Sequence, residues 1–88
     1  MTVIYGTGID ALMIMKELPT EYLNRIRFCD LRASEKQHRF MNTIVSSPAS
    51  IANNEKVIIA SRKFMIEIFS FCVKTGIPVE NLILLESN

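Results

Sequence analysis

One stretch near the start constrains the fold more than any other. A short run of β-branched and aromatic residues, Val3-Ile4-Tyr5, ends at two glycines and continues into an apolar helical pattern. The spacing Gly6-x-Gly8-x-x-Ala11 is that of a dinucleotide-binding turn: Gly6 allows a sharp turn, Gly8 lets a phosphate approach the backbone, and Ala11 allows close helix packing. The stretch therefore predicts a strand, a tight turn and a helix whose N-terminus can accept an anion.

Further runs of apolar residues predict more strands. The strongest is Lys56-Val57-Ile58-Ile59-Ala60-Ser61, a continuous run typical of a central parallel strand that is covered on both faces. We expect this run to pair with the first strand. The remaining predicted strands are residues 25–31, 43–46 and 82–85.

Helical patterns separate these strands. Apolar residues at helical spacing predict one helix over 9–18, ended by Pro19, and another over 62–75, capped by Ser61 and ended by Gly76. Strands that alternate with helices are typical of a parallel sheet. We therefore predict an α/β domain, a three-layer Rossmann-like fold with four to five parallel strands in the order 3-2-1-4-5. Its crevice is expected at the carboxyl ends of the first and fourth strands.

Composition limits the classes of partner. The 88 residues fit a single domain, 1–88, and a formal charge of +1 gives no field for nucleic acid. No apolar stretch reaches the length of a membrane span and the start is unlike a signal peptide, so we expect no membrane contact and a cytoplasmic location. Five Met and five Phe in so short a chain predict apolar surface for a homodimer or for docking to an enzyme domain.

The sequence carries no recognisable catalytic or metal constellation. Cys29 and Cys72 lack metal-type spacing, and we interpret them as buried free thiols. His38, the one histidine, lies in a polar segment without a matching nucleophile, and a solvated side chain is favoured over a catalytic base. We therefore assign no catalytic residue and expect no independent enzymatic activity.

Several segments together resemble a known family. They are Val3-Ile4-Tyr5-Gly6-Thr7-Gly8, Cys29-Asp30, the segment 40–48, the run 56–61 and Gly76-Ile77-Pro78-Val79-Glu80-Asn81-Leu82-Ile83. This pattern resembles small Rossmann-like domains of bacterial surface-polysaccharide and sugar-modification proteins. Such domains are similar to the nucleotide-sugar-binding N-terminal halves of certain sugar acetyltransferases, and to NAD-binding-like domains attached to sugar epimerase/dehydratases, glycosyltransferases and methyltransferases.

The resemblance implies a binding module for a nucleotide-sugar or an NAD-like nucleotide. By it, Gly6, Thr7 and Gly8 lie along a diphosphate, with Ile9 in the same binding turn. Asp30 then faces a ribose or sugar hydroxyl, and Ser61 borders the same pocket. The implied role is service to a polysaccharide or sugar-modifying enzyme, without catalysis by this chain.

Two acids keep an alternative open. Asp10 falls in the first turn of the first helix, where a carboxylate favours the helix dipole and repels phosphate. Asp30 follows Gly8 by 22 residues, which fits a ribose-binding acid, but it can equally be an exposed carboxylate paired with Arg32 or Lys36. The alternative is a ligand-free structural or interaction domain that dimerises or docks on a partner.

Overall fold

Four parallel strands form the main sheet of the computed structural model, which describes residues 1–85. Residues 86–88 of the expected 1–88 domain lie outside the described residues. The sheet order is β2-β1-β5-β6, so β1 and β5 lie at the centre, as predicted for the two strongest runs. The strands are β1 (Thr2–Tyr5), β2 (Ile26–Cys29), β5 (Lys56–Ile59) and β6 (Leu82–Leu84).

Successive side chains along each central strand point to opposite faces of the sheet, and both faces are covered. Val3 and Val57 pair in register and belong to one core cluster, whereas Ile4 belongs to the other. Each of these three side chains is fully buried. A strand with both faces covered must be apolar at every position, which explains the continuous apolar runs in the sequence.

Each core cluster contains side chains from one α-helix. Helix α1 (Ile9–Glu17) contributes Ala11 to the cluster of Ile4, and helix α2 (Met65–Lys74) contributes Cys72 to the other. Helix α2 begins three residues later than expected, because the Ser61 hydroxyl accepts the Phe64 N–H at 3.1 Å and holds a turn before the helix. Gly76 follows it with φ +91°, the left-handed stop predicted from the sequence.

The segment between β2 and β5 differs most from expectation. The predicted edge strand 43–46 does not join the main sheet as a fifth strand; instead β4 (Thr43–Ile44) pairs antiparallel with β3 (Arg39–Phe40). One isolated parallel bridge between Ser46 and Cys29 connects this segment to β2. The five-strand order 3-2-1-4-5 and the three-layer arrangement are therefore not confirmed, whereas the parallel α/β sheet is.

An ion pair links the main sheet to the loop before β5. Arg27 of β2 makes a bidentate ion pair with Glu55, with Nε–Oε2 and Nη2–Oε1 distances of 2.9 and 2.7 Å, and ties β2 to the loop before β5. Glu55 also accepts the Ala52 N–H at 2.9 Å, so the buried carboxylate is satisfied. Within residues 1–85, no helix has the length and apolar character that crossing a membrane requires.

Candidate functional site

A cleft of about 670 Å³ opens at the carboxyl ends of β1, β2 and β5. All six residues proposed from the sequence as ligand-binding line it: Gly6, Thr7, Gly8, Ile9, Asp30 and Ser61. They meet there because parallel strands end at the same edge of a sheet and each loop leaves from that edge. The crevice predicted between the first and fourth strands thus exists, and β2 supplies a third side.

The two glycines of the turn have different physical roles. Gly6 has φ +123°, and a Cβ on it would lie 2.6 Å from the backbone oxygen of Ala60 on the neighbouring strand. Glycine is therefore required at position 6 by the fold alone. Gly8 has an ordinary extended conformation, with φ −102°, and a Cβ on it would meet nothing within 4 Å. Neither the backbone nor the packing of residues 1–85 requires glycine at position 8.

Asp30 is a hydrogen-bonding hub at the end of β2. Its Oδ2 accepts the Thr7 hydroxyl at 2.5 Å and lies 3.5 Å from Nη2 of Arg32. Its Oδ1 accepts the Ala33 N–H at 3.0 Å and lies 2.9 Å from Nε2 of His38. A carboxylate offers about four acceptor positions; the hydrogen bonds from Thr7, Ala33 and His38 use three of them, and the Arg32 guanidinium lies beside the carboxylate as an ion-pair partner. Asp30 is also 7% exposed, so the expected exposed carboxylate is wrong, while the expected contact with Arg32 is present.

The pKa of Asp30 reflects the same bonds. Burial alone would raise the pKa of this carboxyl, but the hydrogen bonds from Thr7, His38 and the Ala33 N–H outweigh it and hold the pKa below its ordinary value. The group is therefore a carboxylate at neutral pH. His38 is not a solvated side chain as expected from the sequence, because its ring is bonded to Asp30 and its side chain is 24% exposed.

Asp10 and Ser61 bind backbone groups on the opposite side of the cleft. Oδ2 of Asp10 accepts the Arg62 N–H at 2.9 Å and so links the start of α1 to the loop after β5. Ser61 uses its hydroxyl for the Phe64 N–H, and both side chains line the cleft. Within the described chain, no side chain caps the N-terminus of α1 itself, which begins beside Gly8.

The structure adds cleft residues that the sequence analysis did not name for the site. Leu31 and Phe64 line the cleft and are 67% and 51% exposed, so its rim is apolar. Lys63 and Glu67 add one charge of each sign. Lys63 and Phe64 lie in the turn before α2, whereas Glu67 lies within the helix.

The two thiols lie outside this chemistry. Cys29 and Cys72 are free and buried, as expected. Burial raises the pKa of Cys29 to about 12, so its thiolate is scarce at neutral pH. Burial raises the pKa of Cys72 as well.

Fold and cleft together define a small α/β protein with a parallel four-stranded sheet, loosely Rossmann-like, and a cleft at the carboxyl ends of its strands. Comparison of the chain with protein-family models, with curated proteins and with solved structures found no match. The resemblance to domains of sugar-modification proteins therefore rests on the sequence segments alone.

Proposed function

We propose that this protein binds a nucleotide or nucleotide-sugar in the cleft, with the phosphates along Gly6, Thr7, Gly8 and Ile9. The order of elements supports the proposal, because a glycine turn leads from a central strand into a helix whose N-terminus faces the cleft. Helix N-termini carry unpaired N–H groups and partial positive charge, which favour anions. No residue in this proposal carries out catalysis.

Gly8 is the observation that carries the proposal. Serine is at least as good an N-cap as glycine, and a Cβ at position 8 would meet nothing within 4 Å. Glycine there costs stability through the entropy of the unfolded chain, and no contact within residues 1–85 recovers that cost. A ligand that must approach the backbone closely explains why the side chain is missing.

The arrangement of the layers and the partner of the protein are part of the same proposal. We infer a three-layer Rossmann-like arrangement with α1 and α2 on opposite faces, supported by their separate core clusters. We also infer service to a surface-polysaccharide or sugar-modifying enzyme supplied by another chain or domain, supported by the resemblance of the segments quoted above.

A thermal-shift panel with ADP, NAD⁺ and UDP-glucose tests the proposal. A ligand at ~100 times its Kd stabilises a protein by about 2.7 kcal/mol, which for a domain of this size raises Tm by about 10 °C or more. Gly8→Val is expected to abolish the shift, because its side chain would occupy the position of the phosphate. The control is Ala49→Val, which places the same side chain at an exposed position that does not line the cleft. If none of these three ligands, nor NADP⁺, shifts Tm at millimolar concentration, the proposal is wrong.

A second candidate function is a ligand-free interaction domain, and the exposed apolar rim favours it. Ile9, Leu31 and Phe64 line the cleft and are 71%, 67% and 51% exposed. Apolar side chains gathered at one rim are typical of a surface that a second copy or an enzyme domain covers. Light scattering after gel filtration at high micromolar concentration measures self-association directly, and Leu31→Asp is expected to shift a dimer to monomer.

A further inference from the structure

We infer that the cleft selects a nucleotide that carries a phosphate on its ribose, and that Arg32 rather than Asp30 recognises that end of the ligand. This inference rests on the proposed function and specifies its ligand class. It reverses the preference that Asp30 alone implies, since a free carboxylate at this position would accept a ribose hydroxyl and repel a phosphate.

The place of Asp30 and Arg32 after β2 relates them to the ribose of a bound nucleotide. In glycine-turn nucleotide sites the diphosphate lies at the N-terminus of the first helix, and the residues after the second strand face the ribose. Asp30 and Arg32 follow β2 directly and line the cleft together with Thr7 of the glycine turn. The end of β2 is therefore the part of the cleft that meets the ribose.

Three hydrogen bonds and an ion pair already engage the Asp30 carboxylate there. Thr7, Arg32, Ala33 and His38 surround its two oxygens, and the side chain is 10% exposed. A ribose diol would have to displace one of these protein groups to reach the carboxylate. The exchange replaces one hydrogen bond by another and so contributes little net affinity.

Arg32 is the group that a ligand meets instead. Its side chain is 74% exposed and lines the cleft, and Nη2 lies 3.1 Å from the Thr7 hydroxyl oxygen and 3.5 Å from Oδ2 of Asp30. A guanidinium has five N–H donors in a planar fork, and the contacts within residues 1–85 engage Nη2 alone. The donors on Nη1 and Nε remain for a phosphate, whose oxygens match the fork.

Thr7 and Asp30 act here as positioning residues. They hold one edge of the Arg32 guanidinium, which lowers the conformational freedom that an exposed arginine would lose on binding. The Asp30 carboxylate also compensates part of the guanidinium charge, so phosphate recognition depends on hydrogen-bond geometry as well as on electrostatic attraction.

Titration calorimetry of the full chain with NADP⁺ and with NAD⁺ tests the inference, because the two probes differ by one ribose phosphate. Hydrogen bonds to charged groups predict that NADP⁺ binds at least about tenfold more tightly. Arg32→Gln is expected to remove that difference between the two affinities. Arg25→Gln is the matched control, an exposed arginine at the amino end of β2, and should preserve the difference.

The outcomes separate the two proposals. NAD⁺ or UDP-glucose binding as tightly as NADP⁺, or a preference for NADP⁺ that survives Arg32→Gln, overturns the inference and leaves nucleotide binding standing. Absence of heat and of any thermal shift with all of these probes at millimolar concentration overturns both.

Discussion

Opposite effects of substitution are expected at the two glycines of the turn. In Gly6→Ala, the new Cβ would lie 2.6 Å from the Ala60 oxygen, a backbone atom that is fixed by the Ala60 N–H to Tyr5 oxygen bond of 2.8 Å. The strand pair must separate, and alanine must also adopt φ +123°. Backbone strain and overpacking each cost about 1–3 kcal/mol, so we expect a loss of at least about 2 kcal/mol and a Tm lower by about 10 °C or more.

Gly8→Ser should have the reverse sign. A Cβ at position 8 meets nothing within 4 Å, and serine there would supply the missing side-chain cap of α1 and lower the entropy of the unfolded chain. These effects predict a gain of about 0.5–1 kcal/mol in the free energy of unfolding, measured by urea denaturation followed by circular dichroism. Equal destabilisation by Gly6→Ala and Gly8→Ser would refute the distinction between a glycine that the fold requires and one that it does not. It would remove the main support for a ligand at Gly8.

Three further predictions concern other parts of the chain. Met41→Gly should raise the free energy of unfolding by about 0.5–1 kcal/mol, because Met41 has φ +49° in the described hairpin; no gain in urea denaturation would contradict this. The hydrogen bond from Arg27 holds the pKa of Glu55 below its ordinary value, and hydrogen bonds from Thr7 and His38 lower the pKa of Asp30. Both carboxylates therefore stabilise the fold at neutral pH and lose that effect as the pH falls through their folded-state pKa values. Urea midpoints at pH 6 and pH 3 should therefore differ less in Glu55→Gln than in the unchanged protein, and an equal difference would count against the ion pair. Asp10→Asn keeps an oxygen for the Arg62 N–H and removes a negative charge from the start of α1, so any nucleotide that binds should bind more tightly; unchanged affinity by titration would place the phosphates elsewhere.

The main sheet could be predicted because its signal is local. Val57, Ile58 and Ile59 form an apolar run that fits a strand covered on both faces, and β5 begins and ends within two residues of the expected bounds. The glycine turn is equally local, and the cleft follows from parallel strands ending at one edge. Each of these features is determined by the apolar pattern and turn residues of a short segment, so the sequence of that segment is enough to predict it.

The hairpin and the hub at Asp30 could not be predicted in the same way. The reversal of the chain occurs at Met41 and Asn42, both at positive φ, where the glycine that usually marks such a turn is missing from the sequence. Asparagine tolerates this conformation better than most residues, which is consistent with Asn42 at φ +63°. Because the sequence does not reveal this turn, it does not reveal the approach of His38 to Asp30 either. Residue spacing also does not show how many hydrogen bonds a carboxylate accepts.

The hub at Asp30 also couples regions that are distant in sequence. Thr7 belongs to the glycine turn, whereas His38 leads into the hairpin, whose Phe40 packs edge-to-face on Phe28 with ring centroids 4.9 Å apart. Where an occupant of the cleft changes the contact of Thr7 with Asp30 and so the free energy of opening the hairpin, thermodynamic linkage requires the effect to be reciprocal. A protein that grips the hairpin would alter the affinity of the cleft by the same factor. Occupancy of the cleft could then be sensed at a surface that the ligand never touches.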